Sequence, residues 1–118
     1  MHLHRVFVYG TLKRNFCRHD ALEGQRFIGL AETLPVYKLV DLGDYPGLIP
    51  HESGICVSGE LFEVDSQCMQ TLDVIECGRE GLYRRQSVKL KSPFHKLEAE
   101  TYIYLLPTDG YAEISQWT

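Results

Sequence analysis

Apolar residues along this chain fall mostly in short blocks divided by turn formers, the spacing of strands rather than of long helices. Residues 4–9 predict a first strand, stopped at Gly10. Residues 15–23 are polar and predict a short helix or an ordered loop. Residues 25–32, ending before Pro35, and residues 36–41 predict two more strands. The run Leu42-Gly43-Asp44-Tyr45-Pro46-Gly47 is dense in turn formers. Residues 47–51 read as extended, with Pro50 confining them to an edge or a bulge. Residues 54–64 carry the clearest alternation. Ile55, Val57 and Leu61 share one face, and Cys56, Phe62 and Val64 share the other, so both faces read as partly buried. Gly59 marks a bulge or a close backbone approach.

One segment has helical spacing. Met69, Leu72 and Ile75 recur at i, i+3 and i+6, Asp65 or Ser66 can cap the start, and Cys77-Gly78 predicts a glycine stop. Residues 82–91 then read as a strand with Val88 and Leu90 on one face, and residues 98–105 as another. Residues 111–118 have no clear pattern. Strands do not alternate regularly with helices, which argues against a doubly wound parallel sheet. The expectation is one α+β domain over residues 1–118 whose strands curl into a barrel.

Composition changes this picture little but narrows the function. With 118 residues, 44% hydrophobic and 24% charged, the chain matches a soluble globular domain with a single core. A formal net charge of −4 argues against nucleic acid and against an anionic membrane surface. No apolar stretch approaches the roughly 20 residues needed to span a bilayer, and the start lacks the pattern of a secretory signal. Cys17, Cys56, Cys68 and Cys77 form no C-x-x-C pair, which favours a reduced, cytosolic setting. His2, His4, Cys17 and His19 lie near one another in sequence, but their spacing is poor for a metal site, and no metal is expected. Phosphate-loop, dinucleotide, nucleophile-elbow and zincin motifs are missing, and with them the main support for those chemistries.

Two short stretches carry candidate chemistry. The strand ending in Tyr9-Gly10-Thr11-Leu12 turns beside Lys13 and Arg14. A glycine turn can direct successive backbone N–H groups at one spot and so hold an anion; an ordinary strand exit with a solvated loop is the plainer alternative. The second stretch is Leu72-Asp73-Val74-Ile75-Glu76, with Asp73 and Glu76 on one helix side. A carboxylate near a helix C-terminus meets the negative end of the dipole, and partial burial would raise its pKa into the range of a general base. Alternatively, Glu76 is exposed or pairs with Arg79 or Arg84.

Together these pieces resemble the gamma-glutamylcyclotransferase-like family. The matching stretches are Val6-Phe-Val-Tyr-Gly-Thr-Leu-Lys13, Tyr45-Pro-Gly-Leu48, Gly59-Glu-Leu-Phe-Glu-Val64, Leu72-Asp-Val-Ile-Glu76, Leu82-Tyr-Arg-Arg85 and Tyr102-Ile-Tyr104, with Ile114 and Trp117. They run through most of the chain in family order. The resemblance stands nearest the gamma-glutamylamine cyclotransferase branch, at the start and around Glu76, and extends to the plant avirulence-induced proteins.

The resemblance implies a small mixed β-barrel with flanking helices. It implies ring closure of a gamma-glutamyl amine or peptide to 5-oxoproline with release of the amine, and no cofactor. Glu76 takes the family's catalytic position, and the backbone of Tyr9, Gly10, Thr11 and Leu12 that of the cradle for the glutamyl end. Gly47 stands where relatives often carry alanine, a small residue that lets backbone come close. Tyr83 matches a tyrosine near the family's site; a half-buried strand tyrosine is the equal alternative. Some relatives lack the glutamate, and its presence here favours an enzyme. Cys77 is read as a packing residue, and Trp117 as holding the tail to the body. The charged loop after Glu76 is a candidate for recognising the leaving group. The expected partner is a small gamma-glutamyl substrate, with the leaving amine and the oligomeric state left open. A carboxylate-binding protein without catalysis is the competing reading.

Overall fold

In the computed structural model of the chain, which describes residues 3–78 and 81–118, the first apolar block forms strand β1 (Leu3–Val8). Val6 and Val8 face one side, Phe7 and Tyr9 the other, and all four are buried. A strand with large apolar residues at consecutive positions belongs in the middle of a sheet covered on both faces. β1 accordingly lies between two neighbours, antiparallel to β5 (Ser58–Asp65) and parallel to β7 (Glu100–Tyr104).

The remaining elements are a 3₁₀ turn (His19–Leu22), β2 (Arg26–Glu32), β3 (Tyr37–Asp41), β4 (Pro46–Pro50), helix α1 (Ser66–Cys77), β6 (Tyr83–Ser87) and β8 (Glu113–Ile114). Across the sheet the order is β2-β5-β1-β7-β4-β3-β8, with β6 paired to β7 off that path. The result is a mixed sheet curled into a half-barrel with one α-helix among the described residues, the α+β architecture expected.

β5 follows its alternation, with Leu61 on the Phe7 side and Phe62 and Val64 on the Val6 side. Gly59 is the close approach: a Cβ there would stand 2.6 Å from the Phe7 ring and from the Val8 carbonyl. The irregularity in pairing lies opposite, on β2 between Phe27 and Gly29. α1 begins at Asp65, whose side chain accepts a hydrogen bond from the Cys68 N–H at 2.7 Å, and Met69 and Leu72 seat it on the Val6 side.

The structure corrects several sequence expectations. Ile55 is 42% exposed and forms an isolated bridge to Tyr37 outside the strand, which starts at Ser58. β4 is internal, between β7 and β3. It tolerates Pro46 and Pro50 because they sit at its two ends, while its pairing to β7 is centred on Leu48. Gly78 does not take a left-handed stop; it stays right-handed (φ −73°, ψ −7°) and donates to the Val74 carbonyl. β6 ends at Ser87 because the chain then crosses to β2, where the Lys89 carbonyl accepts from Leu34 and Lys91 N–H donates to Glu32. Val88 and Leu90 are still buried, on the Phe7 side.

Candidate active site

The end of β1 opens onto a small, partly open cavity. Phe7 to Leu12 form one wall, Tyr45 and Pro46 a second, and Glu76, Tyr83 and Tyr102 close the rest. The structure brings six of the sequence candidates here: Tyr9, Gly10, Thr11 and Leu12 from the turn, Glu76 from the helix end and Tyr83 from β6.

The turn is fixed by its carbonyls. Gly10 O accepts from Lys13 N at 3.1 Å, Thr11 O from Arg18 N at 2.9 Å, and Leu12 O from His19 Nδ1 at 3.0 Å, so that nitrogen carries a proton. In a trans peptide the N–H points opposite to the C=O. The N–H groups of Thr11 and Leu12 therefore point away from these partners. Gly10 is not among the glycines with positive φ. Its small size is needed for another reason: a Cβ would stand 2.8 Å from both Cγ and Cδ of Pro46. The two walls of the cavity meet at that contact.

Lys13 and Arg14 brace the turn from outside. Lys13 Nζ donates to the Trp117 carbonyl at 2.6 Å and lies 4.9 Å from the Phe16 ring centroid. The Arg14 N–H and Nε donate to the buried Glu60 carboxylate at 2.8 and 3.3 Å, and its guanidinium stacks 3.8 Å from the Phe27 ring centroid.

Three tyrosine hydroxyls in the cavity wall are committed to protein acceptors. Tyr9 donates to the Tyr102 carbonyl at 2.6 Å and accepts from Leu48 N–H at 3.3 Å. Tyr83 donates to the Pro46 carbonyl at 2.7 Å. Tyr102 donates to Asp73 at 2.8 Å, and Asp73 also pairs with Arg85 at 3.4 Å. Burial, first of all, pushes the phenols of Tyr9, Tyr83 and Tyr102 well above their ordinary value. The charge of Glu76 pushes Tyr9 and Tyr83 further in the same direction.

Glu76 is the one carboxyl in the cavity wall among the described residues. It sits one residue from the end of α1 and among the described residues makes no ion pair. Arg79 lies outside the described residues, and Arg84 is exposed on β6. Burial raises the Glu76 pKa above its ordinary value, and the nearby positive charge of Arg18 opposes that rise.

Gly47 does not line the cavity, in contrast to the expectation. It is buried in β4, where a Cβ would stand 2.9 Å from Tyr104 Cγ and 3.1 Å from Leu42 Cδ1. Its small size serves the packing of β4 onto β7, and its neighbours Tyr45 and Pro46 face the cavity instead. Tyr102 and Arg18 were not singled out from the sequence. Tyr102 stood inside a quoted stretch, whereas nothing in the local pattern distinguishes Arg18. Cys77 packs half-buried against the core, its thiol pushed up by burial and by Asp73. His2 lies outside the described residues; His4 contacts Ser66, Cys17 is exposed, and His19 is held at Leu12. Of the charged loop after the helix, Arg79 and Glu80 are likewise outside them.

Comparison with known proteins gives the family. Residues 6–118 match the family model described as gamma-glutamyl cyclotransferase, AIG2-like. A putative gamma-glutamylcyclotransferase of Vibrio cholerae is 41% identical over 102 residues, 86% of this chain and 82% of that protein. The gamma-glutamylaminecyclotransferase of Rattus norvegicus is 35% identical over 94 residues, 73% of this chain and 62% of the rat protein. The crystal structure of an AIG2-like protein from Mus musculus superimposes with a TM-score of 0.87 at 26% identity, covering 100% of this chain and 90% of that one. The chain belongs to the gamma-glutamyl cyclotransferase, AIG2-like family.

Proposed function

We propose that the protein closes the gamma-glutamyl group of a gamma-glutamyl amine or peptide into 5-oxoproline and releases the free amine, with Glu76 as the proton carrier. The observation that carries this reading is the pairing of a half-buried carboxyl, its pKa raised by desolvation, with a backbone turn across a small cavity. The wall tyrosines Tyr9, Tyr83 and Tyr102 have their hydroxyl protons committed to protein acceptors and are pushed away from neutral titration, which leaves Glu76 to exchange protons.

The substrate holds both reacting groups. Its α-amine attacks its own γ-carbonyl, so binding it in a bent conformer supplies much of the rate; well-oriented intramolecular reactions gain on the order of 7–11 kcal/mol. The free amine is mostly protonated at neutral pH. Glu76 removes a proton from it, and the neutral nitrogen adds to the carbonyl carbon. The resulting oxyanion is suited to the N–H groups of the turn at Gly10 to Leu12, which are rigid because their carbonyls are already bonded. Glu76, now protonated, gives its proton to the leaving nitrogen as the original amide bond breaks, and the extra proton on the new ring nitrogen passes to the released amine, which departs as an ammonium ion while Glu76 is left ionised. The raised pKa serves the second step, since a carboxyl of ordinary pKa is a poor donor near neutrality.

Glu76→Gln preserves shape and removes the proton carrier. Release of 5-oxoproline from gamma-glutamyl-alanine, gamma-glutamyl-lysine or a simple gamma-glutamyl amide should fall by at least about 10²–10⁴-fold, with the far-ultraviolet spectrum unchanged. Equal turnover by variant and parent removes the role from Glu76. Binding of such compounds by the parent without ring closure replaces the enzyme with a carboxylate-binding protein.

A further inference from the structure

The first two turns of α1 are seated by apolar burial, and the last is not. Cys68, Met69 and Leu72 are its buried residues, whereas Val74 is 73% exposed and Ile75, Glu76 and Cys77 are half-buried. Helix ends fray unless something holds them. Glu76 belongs to that last turn.

Asp73 ties the turn down. Its two carboxylate oxygens go to different strands. Oδ1 accepts from the Tyr102 hydroxyl of β7 at 2.8 Å, and Oδ2 pairs with the Arg85 guanidinium of β6 at 3.4 Å. Arg85 also pairs with Glu100 of β7 at 3.7 Å. Asp73, Glu76 and Cys77 are neighbours on one helix side, at i, i+3 and i+4. The Cys77 thiol accepts from the Arg85 backbone N–H. With Asp73 and Cys77 both held by β6 and β7, Glu76 is left facing the cavity. Tyr102 reaches the other half of the site as well, because its carbonyl accepts the Tyr9 hydroxyl at 2.6 Å. One tyrosine thus spans from the helix that carries Glu76 to the strand end that leads into the turn.

We infer that Asp73 is a positioning residue: through Tyr102 and Arg85 it fixes the last turn of α1, and so holds the Glu76 carboxyl at a set distance from the turn at Gly10 to Leu12. This rests on the cyclotransferase reading of the cavity.

The test measures 5-oxoproline release by the parent, Asp73→Ala, Asp73→Asn, Tyr102→Phe and the double variant Asp73→Ala with Tyr102→Phe. The substrate is whichever of gamma-glutamyl-alanine, gamma-glutamyl-lysine and a simple gamma-glutamyl amide the parent turns over, at a temperature where far-ultraviolet spectra show every variant folded. In Asp73→Ala kcat should fall by about 10–100-fold, the scale of a misplacement approaching 1 Å, with KM little changed because the turn is untouched. The acid limb of its kcat/KM profile should move down toward the ordinary carboxyl value as Glu76 swings into water. The groups facing Glu76, namely Tyr9, Tyr83, Cys77 and Arg18, are the same in every variant. Asp73→Asn loses the charge but keeps an acceptor for Tyr102, so it should retain most of the turnover and the acid limb of the parent. Tyr102→Phe keeps the ring and the carbonyl and should change kcat and the acid limb in the same sense as Asp73→Ala; it decides the matter if Asp73→Ala does not fold. The double variant should be no slower than Asp73→Ala, since both changes remove one link. Unchanged kcat and acid limb in Asp73→Ala and Tyr102→Phe overturn the inference and leave the reaction standing. Losses that multiply in the double variant, or a loss in Asp73→Asn as large as in Asp73→Ala, do the same. Full turnover by Glu76→Gln, or a folded parent that closes no ring on any of the three compounds, overturns the reading of the cavity, and the inference with it.

Discussion

Gly10→Ala tests whether the contact between the two cavity walls holds the site together. The new methyl would lie 2.8 Å from Cγ and Cδ of Pro46, where ordinary carbon contacts are about 3.5–4.0 Å, an overlap of about 0.7–1.2 Å. Pro46 cannot easily retreat. It opens β4 opposite Asp41, and its carbonyl accepts the Tyr83 hydroxyl. Overpacking of this kind costs about 1–3 kcal/mol, offset by about 0.4–1 kcal/mol from the stiffer unfolded chain. The net expectation is a loss of about 1–2 kcal/mol in urea unfolding. The effect on catalysis is larger, because a misplacement of about 1 Å costs on the order of 10²-fold in rate. Pro46→Ala removes both clashing atoms and keeps the carbonyl. The double variant should therefore be more stable than the sum of the singles predicts, by about 1 kcal/mol, and should regain turnover relative to Gly10→Ala. Additivity within about 0.5 kcal/mol would refute the clash as the cause.

Glu76 gives a pH prediction with opposite signs for activity and stability. The reaction needs an ionised base in the free enzyme, so kcat/KM should fall on the acid side with a midpoint above the ordinary carboxyl value of 4.5. Its pKa is higher folded than unfolded, so its contribution to stability is present below the unfolded value and is lost as pH rises through the folded one. Glu76→Gln should thus melt above the parent at pH 7.5, by a margin that closes toward pH 4; a margin that widens toward acid contradicts a desolvated carboxyl. Asp65→Ala removes the cap on α1 and should lower unfolding stability by about 1 kcal/mol, most of it restored in Asp65→Asn, whereas equal stability of all three would show that the cap contributes nothing.

The strands were legible where side chains alternate between two buried faces, as in β1 and β5, and α1 where its cap and apolar spacing coincide. Boundaries failed where long-range pairing decides them. The sequence around Val88 and Leu90 continues an apolar alternation, but the chain leaves β7 at Ser87 to bond with β2, which no local signal records. The site divides the same way. The turn and Glu76 carry local signatures, a strand exit into glycine and a carboxylate at a helix end. Gly47 stands out in a sequence because small size is visible there, while the direction a strand faces depends on its neighbours, and it is Tyr45 and Pro46 that face the cavity. Gly10 signals a turn in the sequence, yet its small size is required by the Pro46 ring packed against it. Arg18 is an unremarkable loop arginine until the fold puts it beside Glu76.

The parallel placement of β7 against both β1 and β4 bears on how the molecule comes into being. Thr101 bonds to Phe7 across 94 residues, and Tyr9 to Tyr102 across 93. Loop closure on that scale is entropically late, so chains of high contact order fold slowly. No fragment lacking β7 can hold Tyr9 in place, and an intermediate built from β1, β2, β5 and α1 would lack both the Tyr102 wall and the Pro46 wall. Recovery of ring closure during refolding should therefore lag behind recovery of helical signal, making turnover a clock for the final docking of the two halves of the chain.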